Sequence, residues 1–183
     1  MALRLSEQRL EEIKNIVVDM YEKYDISCAP ISGFEIATKM GIKVIPYSAY
    51  KLKHRYLLWK ESNDGFLAEM KSSEYRIFYN DSIDYRRVNN TIMHEIGHVI
   101  LEHSEDSELA EKEVKFFAKY ALAPPVLIHR LKLKTAIEIS EVFDISLEAA
   151  DYALDYYNKW LKFGKRYYTA YELKTIELFK NAI

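Results

Sequence analysis

From Ser6 to about Tyr24 the apolar residues Leu10, Ile13, Val17, Met20, Tyr21 and Tyr24 recur at three- and four-residue steps, which predicts an amphipathic helix. Ser32 with Glu35 three residues on makes a capping box and Gly41 suits a helix end, so a short helix is expected between them. The pattern then changes. Ile42–Tyr47, Arg55–Lys60, Gly65–Lys71 and Glu74–Asn80 read as short strands separated by Ser-Asn-Asp-Gly and Ser-Ser turns, giving a small sheet of about three or four strands. From about Tyr85 the period is helical again. One helix runs to His103 and a second from about Ser107 to Ala123, closed by Pro124-Pro125. Val126–Lys132, Thr135–Phe143, Leu147–Phe163 and Glu172–Lys180 suit further helices, the third begun by Ser146 and stopped by Gly164.

Composition narrows the class. The 183 residues are 49% hydrophobic and 30% charged, a globular composition able to bury a core without staples. Twenty-six Lys and Arg against twenty-eight Asp and Glu leave a formal charge of -2, so there is no broad electropositive footprint for nucleic acid or anionic membrane. Cys28 is the single cysteine, which excludes an internal disulfide framework and fits a reducing cytoplasm. Charged residues from Arg4 to Asp19 interrupt any apolar signal core, and no stretch approaches a membrane span of roughly 18 uncharged residues.

The chemistry is concentrated in Ile92-Met93-His94-Glu95-Ile96-Gly97-His98-Val99-Ile100-Leu101, an apolar segment interrupted by His, Glu and His. Buried polar groups without partners cost roughly 1–3 kcal/mol each, so three of them require something to satisfy. A metal ion is the economical answer. Residues i and i+4 lie about 40° apart around a helix, so His94 and His98 point the same way and can reach one zinc ion. Glu95, one position round, suits the general base of an H-E-x-x-H peptidase. With five His and nineteen Glu in the chain, chance matches to this motif number about 0.014. Gly97 costs its helix about 1 kcal/mol relative to Ala, which close approach of another backbone or of a ligand would explain.

An open zinc site needs a third protein ligand, and His103, Glu102, Glu105, Glu108, Glu111 and Glu113 are the nearby candidates. His103 is five residues past His98, about 140° off its direction, and is expected to cap the helix or pack behind the ligands. Glu111 shares its face with Lys115 and can stay solvated. Glu113 heads the face formed by Phe116, Phe117 and Tyr120, where an unpaired carboxylate is expensive, and it is the expected ligand.

These residues resemble the ImmA/IrrE-type zinc metallopeptidases. The corresponding runs are His94-Glu95-Ile96-Gly97-His98-Val99-Ile100-Leu101-Glu102-His103, then Glu113-Val114-Lys115-Phe116-Phe117-Ala118, then Ala121-Leu122-Ala123-Pro124. The strand Tyr75–Asn80 and Arg86-Arg87 are also similar to the family, so the resemblance covers most of residues 30–125. It implies an α+β, zincin-like core over residues 1–125, to which the helices of 126–183 form an extension. It also implies Zn²⁺ held by His94, His98 and Glu113, with Glu95 as catalytic acid and base. The implied substrate is a regulatory protein, typically a helix-turn-helix repressor of a mobile element or stress operon. Val114 and Lys115 depart from the family's small residue and Asn, which bears on the surroundings of the Glu113 carboxylate. The same motifs are compatible with a non-cleaving, metal-dependent regulator that binds a repressor or antitoxin.

Two other features invite a reading. Thr135–Asn158 has the outline of a helix-turn-helix, but Glu148, Asp151 and Asp155 on its second helix would repel phosphates, which disfavours direct nucleic-acid binding. Tyr152, Tyr156, Tyr157, Tyr167, Tyr168 and Tyr171 suit core or intersubunit packing. His54, His129 and Cys28 stand alone as structural residues, while His129, Tyr85, Tyr120 and Arg86 remain open as oxyanion donors.

Overall fold

Beginning with α1 (Glu7–Lys23), whose N-terminus is capped by the Ser6 hydroxyl, the chain alternates short helices and strands before becoming wholly helical. The computed structural model describes residues 4–71, 74–105, 107–163 and 167–181. After α2 (Gly33–Lys39) come β1 (Lys43–Pro46), α3 (Leu52–Glu61), β2 (Gly65–Glu69) and β3 (Tyr75–Tyr79). Among the described residues, six helices follow: α4 (Tyr85–Ile100), α5 (Glu108–Leu122), α6 (Pro125–Arg130), α7 (Ala136–Phe143), α8 (Leu147–Phe163) and α9 (Ala170–Leu178). This is the expected α+β class, with a small mixed sheet and several helices. The expected Ser72-Ser73 turn and the Gly164 stop lie outside the described residues.

The sheet order is β1-β3-β2, with β1 parallel and β2 antiparallel to the central β3. One expected strand is a helix. Arg55–Lys60 lies within α3, none of whose residues is buried, and Leu52, Tyr56 and Leu57 are all exposed. An alternation of apolar residues becomes a strand only when a neighbour pairs with it. Here the Arg55 guanidinium instead donates to the Tyr50 and Ser48 carbonyls, and the segment stays helical outside the sheet. The Ser32 hydroxyl caps α2 as expected, but Glu35 does not complete the box, because its carboxylate pairs with Lys39 one turn on.

A continuous apolar cluster includes Ile13 and Val17 of α1, Ile92 and Ile96 of α4, Phe117 of α5, Phe143 of α7 and Phe179 beyond α9. Two buried polar contacts lock α4 into it. Asn89 donates to the Ile31 carbonyl and accepts from the Gly33 amide, which pins α2 against α4. The α4–α5 contact explains Gly97: a Cβ there would meet Phe117 Cδ1 at 3.0 Å and Val114 side-chain atoms at 3.3 Å. The two helices approach so closely that any larger residue would have to push Phe117 and Val114 aside.

Candidate metal centre

α4 carries His94, Glu95 and His98, and α5 closes over them because Gly97 lets it. His94 and His98 stand one helical turn apart with ring centroids at 5.1 Å. Glu111 reaches both from α5, its Oε1 lying 3.5 Å from His94 Nε2 and 3.3 Å from His98 Nε2. One donor atom from each residue falls within 4.8 Å of the other two. The edge of a tetrahedron with bonds of 2.0–2.1 Å is about 3.3 Å, so the two separations from Glu111 are those of neighbouring zinc ligands. Burial lowers the proton affinity of His94 and favours the neutral imidazole that ligates metals. Burial also pushes the Glu111 carboxyl up, but His94, Lys115 and His98 outweigh it and hold it below its ordinary value.

Glu95 is buried beside the cluster on the same helix. Its Oε2 accepts a hydrogen bond from the Leu67 amide at 3.1 Å, so the edge strand β2 orients this carboxylate.

Glu113 does not join the imidazole pair. It is buried, as the apolar run of α5 implied, but Arg9 of α1 supplies its partner through bonds from Nε to Oε1 at 2.8 Å and from Nη2 to Oε2 at 2.6 Å. His103 adds a contact to Oε2 at 3.0 Å. The Arg9 guanidinium and His103 hold the Glu113 carboxyl below its ordinary value. Two residues along a helix turn the direction by about 200°, so Glu111 faces the histidines when Glu113 faces α1. Lys115 likewise contacts Glu111 rather than Glu113, at 3.4 Å.

His103 also lies elsewhere than a longer helix would put it. α4 ends at Ile100, Glu102 adopts φ 55°, and the amides of Glu102 and His103 bond back to the Val99 and His98 carbonyls. That is a Schellman reversal, and it folds the His103 ring back toward His98, with Nδ1 to Nδ1 at 3.3 Å.

Arg86 pairs with Asp144 at 2.8 Å, His129 contacts the Tyr157 hydroxyl at 2.9 Å, Tyr85 stacks on Phe34, and Tyr120 is buried against Phe116. The Arg86 pair also ties the turn between α7 and α8 to α4, so that helix pair is built into the fold. Tyr156, Trp160, Tyr168 and Tyr171 line an open cleft of about 800 Å³, and Tyr157 and Tyr171 are both buried. Cys28 is exposed.

Sequence reasoning weighs Glu111 and prefers Glu113, and it gives Arg9 no role. A signal for Glu111 was present: Val114 and Phe117 pack on Gly97, and Glu111 is one turn before Val114 on the same face. Arg9 is 104 residues from its partner and left no local trace.

The profile of the IrrE N-terminal-like peptidase domain matches residues 37–155, nearly two thirds of the chain. No curated protein matches the chain significantly. Among the described residues, no helix is long and apolar enough to cross a membrane.

Proposed function

The chain belongs to the IrrE N-terminal-like peptidase family, and from that premise we propose that it is a zinc-dependent endopeptidase whose ligands are His94, His98 and Glu111. The observation that carries this reading is the convergence of three donor atoms of the right chemistry beside a buried, oriented carboxylate. Zinc bound there supplies a Lewis acid that polarises a peptide carbonyl and acidifies water. Glu95, one position round the helix and steadied by the Leu67 amide, takes a proton from the attacking water and returns it to the leaving amine. His94 and His98 keep their Nε2 atoms toward Glu111. The family resemblance supports a cytoplasmic protein substrate of the helix-turn-helix repressor class.

The test is incubation of the zinc-loaded chain, and of Glu95→Gln, with helix-turn-helix repressors from the same genome, read by mass spectrometry. Cleavage by the parent that falls about 10²–10⁴-fold in the variant supports the assignment. Undiminished cleavage by Glu95→Gln removes Glu95 from the chemistry. Relief of repression by both proteins without any cut favours the non-cleaving regulator.

A further inference from the structure

Between α1 and the metal centre runs an unbroken line of side-chain contacts. Arg9 engages both oxygens of Glu113, Glu113 Oε2 meets His103 Nε2 at 3.0 Å, and His103 Nδ1 meets His98 Nδ1 at 3.3 Å. The far nitrogen of His98, Nε2, faces Glu111. His103 and Glu113 are nearly buried, with side chains 12% and 7% exposed.

The proton positions along this line follow from its ends. Glu113 accepts two hydrogen bonds from a guanidinium that has no lone pair to offer, so it is a carboxylate and can only accept from His103 as well. A neutral His103 therefore carries its proton on Nε2, which leaves Nδ1 as an acceptor. The group facing that acceptor, His98 Nδ1, must be the donor. A neutral His98 protonated at Nδ1 has its lone pair on Nε2, the atom that points at Glu111.

We infer that Arg9, Glu113 and His103 form a positioning relay that fixes the tautomer and ring orientation of His98, so that its Nε2 is presented to the metal. The relay rests on the ligand assignment given above. It extends the usual carboxylate–histidine support of a metal ligand by one imidazole, and it makes α1, which lies before the region matched by the family, part of the centre. The Schellman turn at Glu102 belongs to the device, because it returns His103 to the helix it has just left. Glu113 thus serves the metal through two imidazoles.

The relay predicts opposite behaviour for two replacements of His103. His103→Phe keeps a ring but offers neither donor nor acceptor. His103→Gln keeps one of each and can stand between His98 Nδ1 and Glu113. Zinc affinity of the full chain, measured by chelator competition, is expected to fall about 10–100-fold in His103→Phe and in Arg9→Met, and to stay within about threefold of the parent in His103→Gln. Long-range ¹H–¹⁵N NMR of histidine-labelled, metal-free protein supplies a second readout. His98 should populate the Nδ1–H tautomer in the parent and in His103→Gln, and a mixture in His103→Phe.

Glu111→Ala separates failure of the relay from failure of the ligand assignment. If Glu111→Ala loses zinc while His103→Phe binds like the parent, the relay is wrong and the ligand set stands. If Glu111→Ala binds like the parent, the ligand set is wrong and the relay falls with it. Should His103→Phe fail to fold, an Nε2–H tautomer of His98 in the parent alone overturns the inference.

Discussion

Glu111 and Glu113 sit two residues apart on one helix and serve opposite faces of it: Glu111 Oε1 lies 3.3 Å from His98 Nε2, while Glu113 Oε2 lies 2.6 Å from Arg9 Nη2. The first carboxylate is part of a cluster that can hold an ion, and the second ties the N-terminal helix to it. Their stability effects should therefore differ. In the metal-free chain, Glu113→Ala is expected to cost about 2–3 kcal/mol, less than a fully buried pair because the Arg9 side chain is 31% exposed. Glu111→Ala, half in solvent, should cost no more than about 1 kcal/mol. Urea midpoints at unchanged slope check both values, and equal costs would contradict the division of labour.

Glu102 ends α4 in the left-handed region at φ 55°, where a side chain is strained and glycine is not. Glu102→Gly should raise stability by about 1 kcal/mol and leave zinc affinity unchanged, since the backbone bonds that return His103 to His98 are retained. Thermal or urea unfolding decides it; a loss of stability would mean that the turn draws on the Glu102 side chain.

Alanine at an ordinary helical glycine gains about 1 kcal/mol. At Gly97 the new methyl meets the fully buried Phe117 ring at 3.0 Å, and overpacking costs about 1–3 kcal/mol. Gly97→Ala should thus give no gain and a net loss of up to about 2 kcal/mol. It should also weaken zinc binding, because α5 carries Glu111 and would be pushed from α4. A stabilised variant with parental zinc affinity would show that α4 and α5 do not meet in this way.

Much of this architecture is legible in the amino-acid pattern, and the misses share a cause. The helices carrying His94, His98 and Glu111 follow from apolar periodicity and from caps such as Ser107, whose hydroxyl accepts from the Ala110 amide. The need for close approach at Gly97 is also visible there. Arg55–Lys60 misled because strand propensity depends on a pairing neighbour, and the sheet leaves this segment unpaired. The choice between Glu111 and Glu113 turned on a cost argument that was sound in itself: a carboxylate buried on that face needs a partner. The partner is a guanidinium from α1, and no local spacing connects Arg9 with Glu113. His103 packs behind His98, one of the two places the pattern allows it, although the left-handed turn at Glu102 rather than an uninterrupted helix brings it there.

The most direct test of the metal centre is zinc content after reconstitution and dialysis, followed by chelator competition, for the parent, Glu111→Ala and Glu113→Gln. The account predicts about one zinc per chain in the parent and its loss in Glu111→Ala. Glu113→Gln should retain one zinc per chain at an affinity lowered by about 10–100-fold, as befits a group that acts through His103. Retention of zinc by Glu111→Ala together with its loss from Glu113→Gln would contradict the assignment and place the third ligand two residues further along α5.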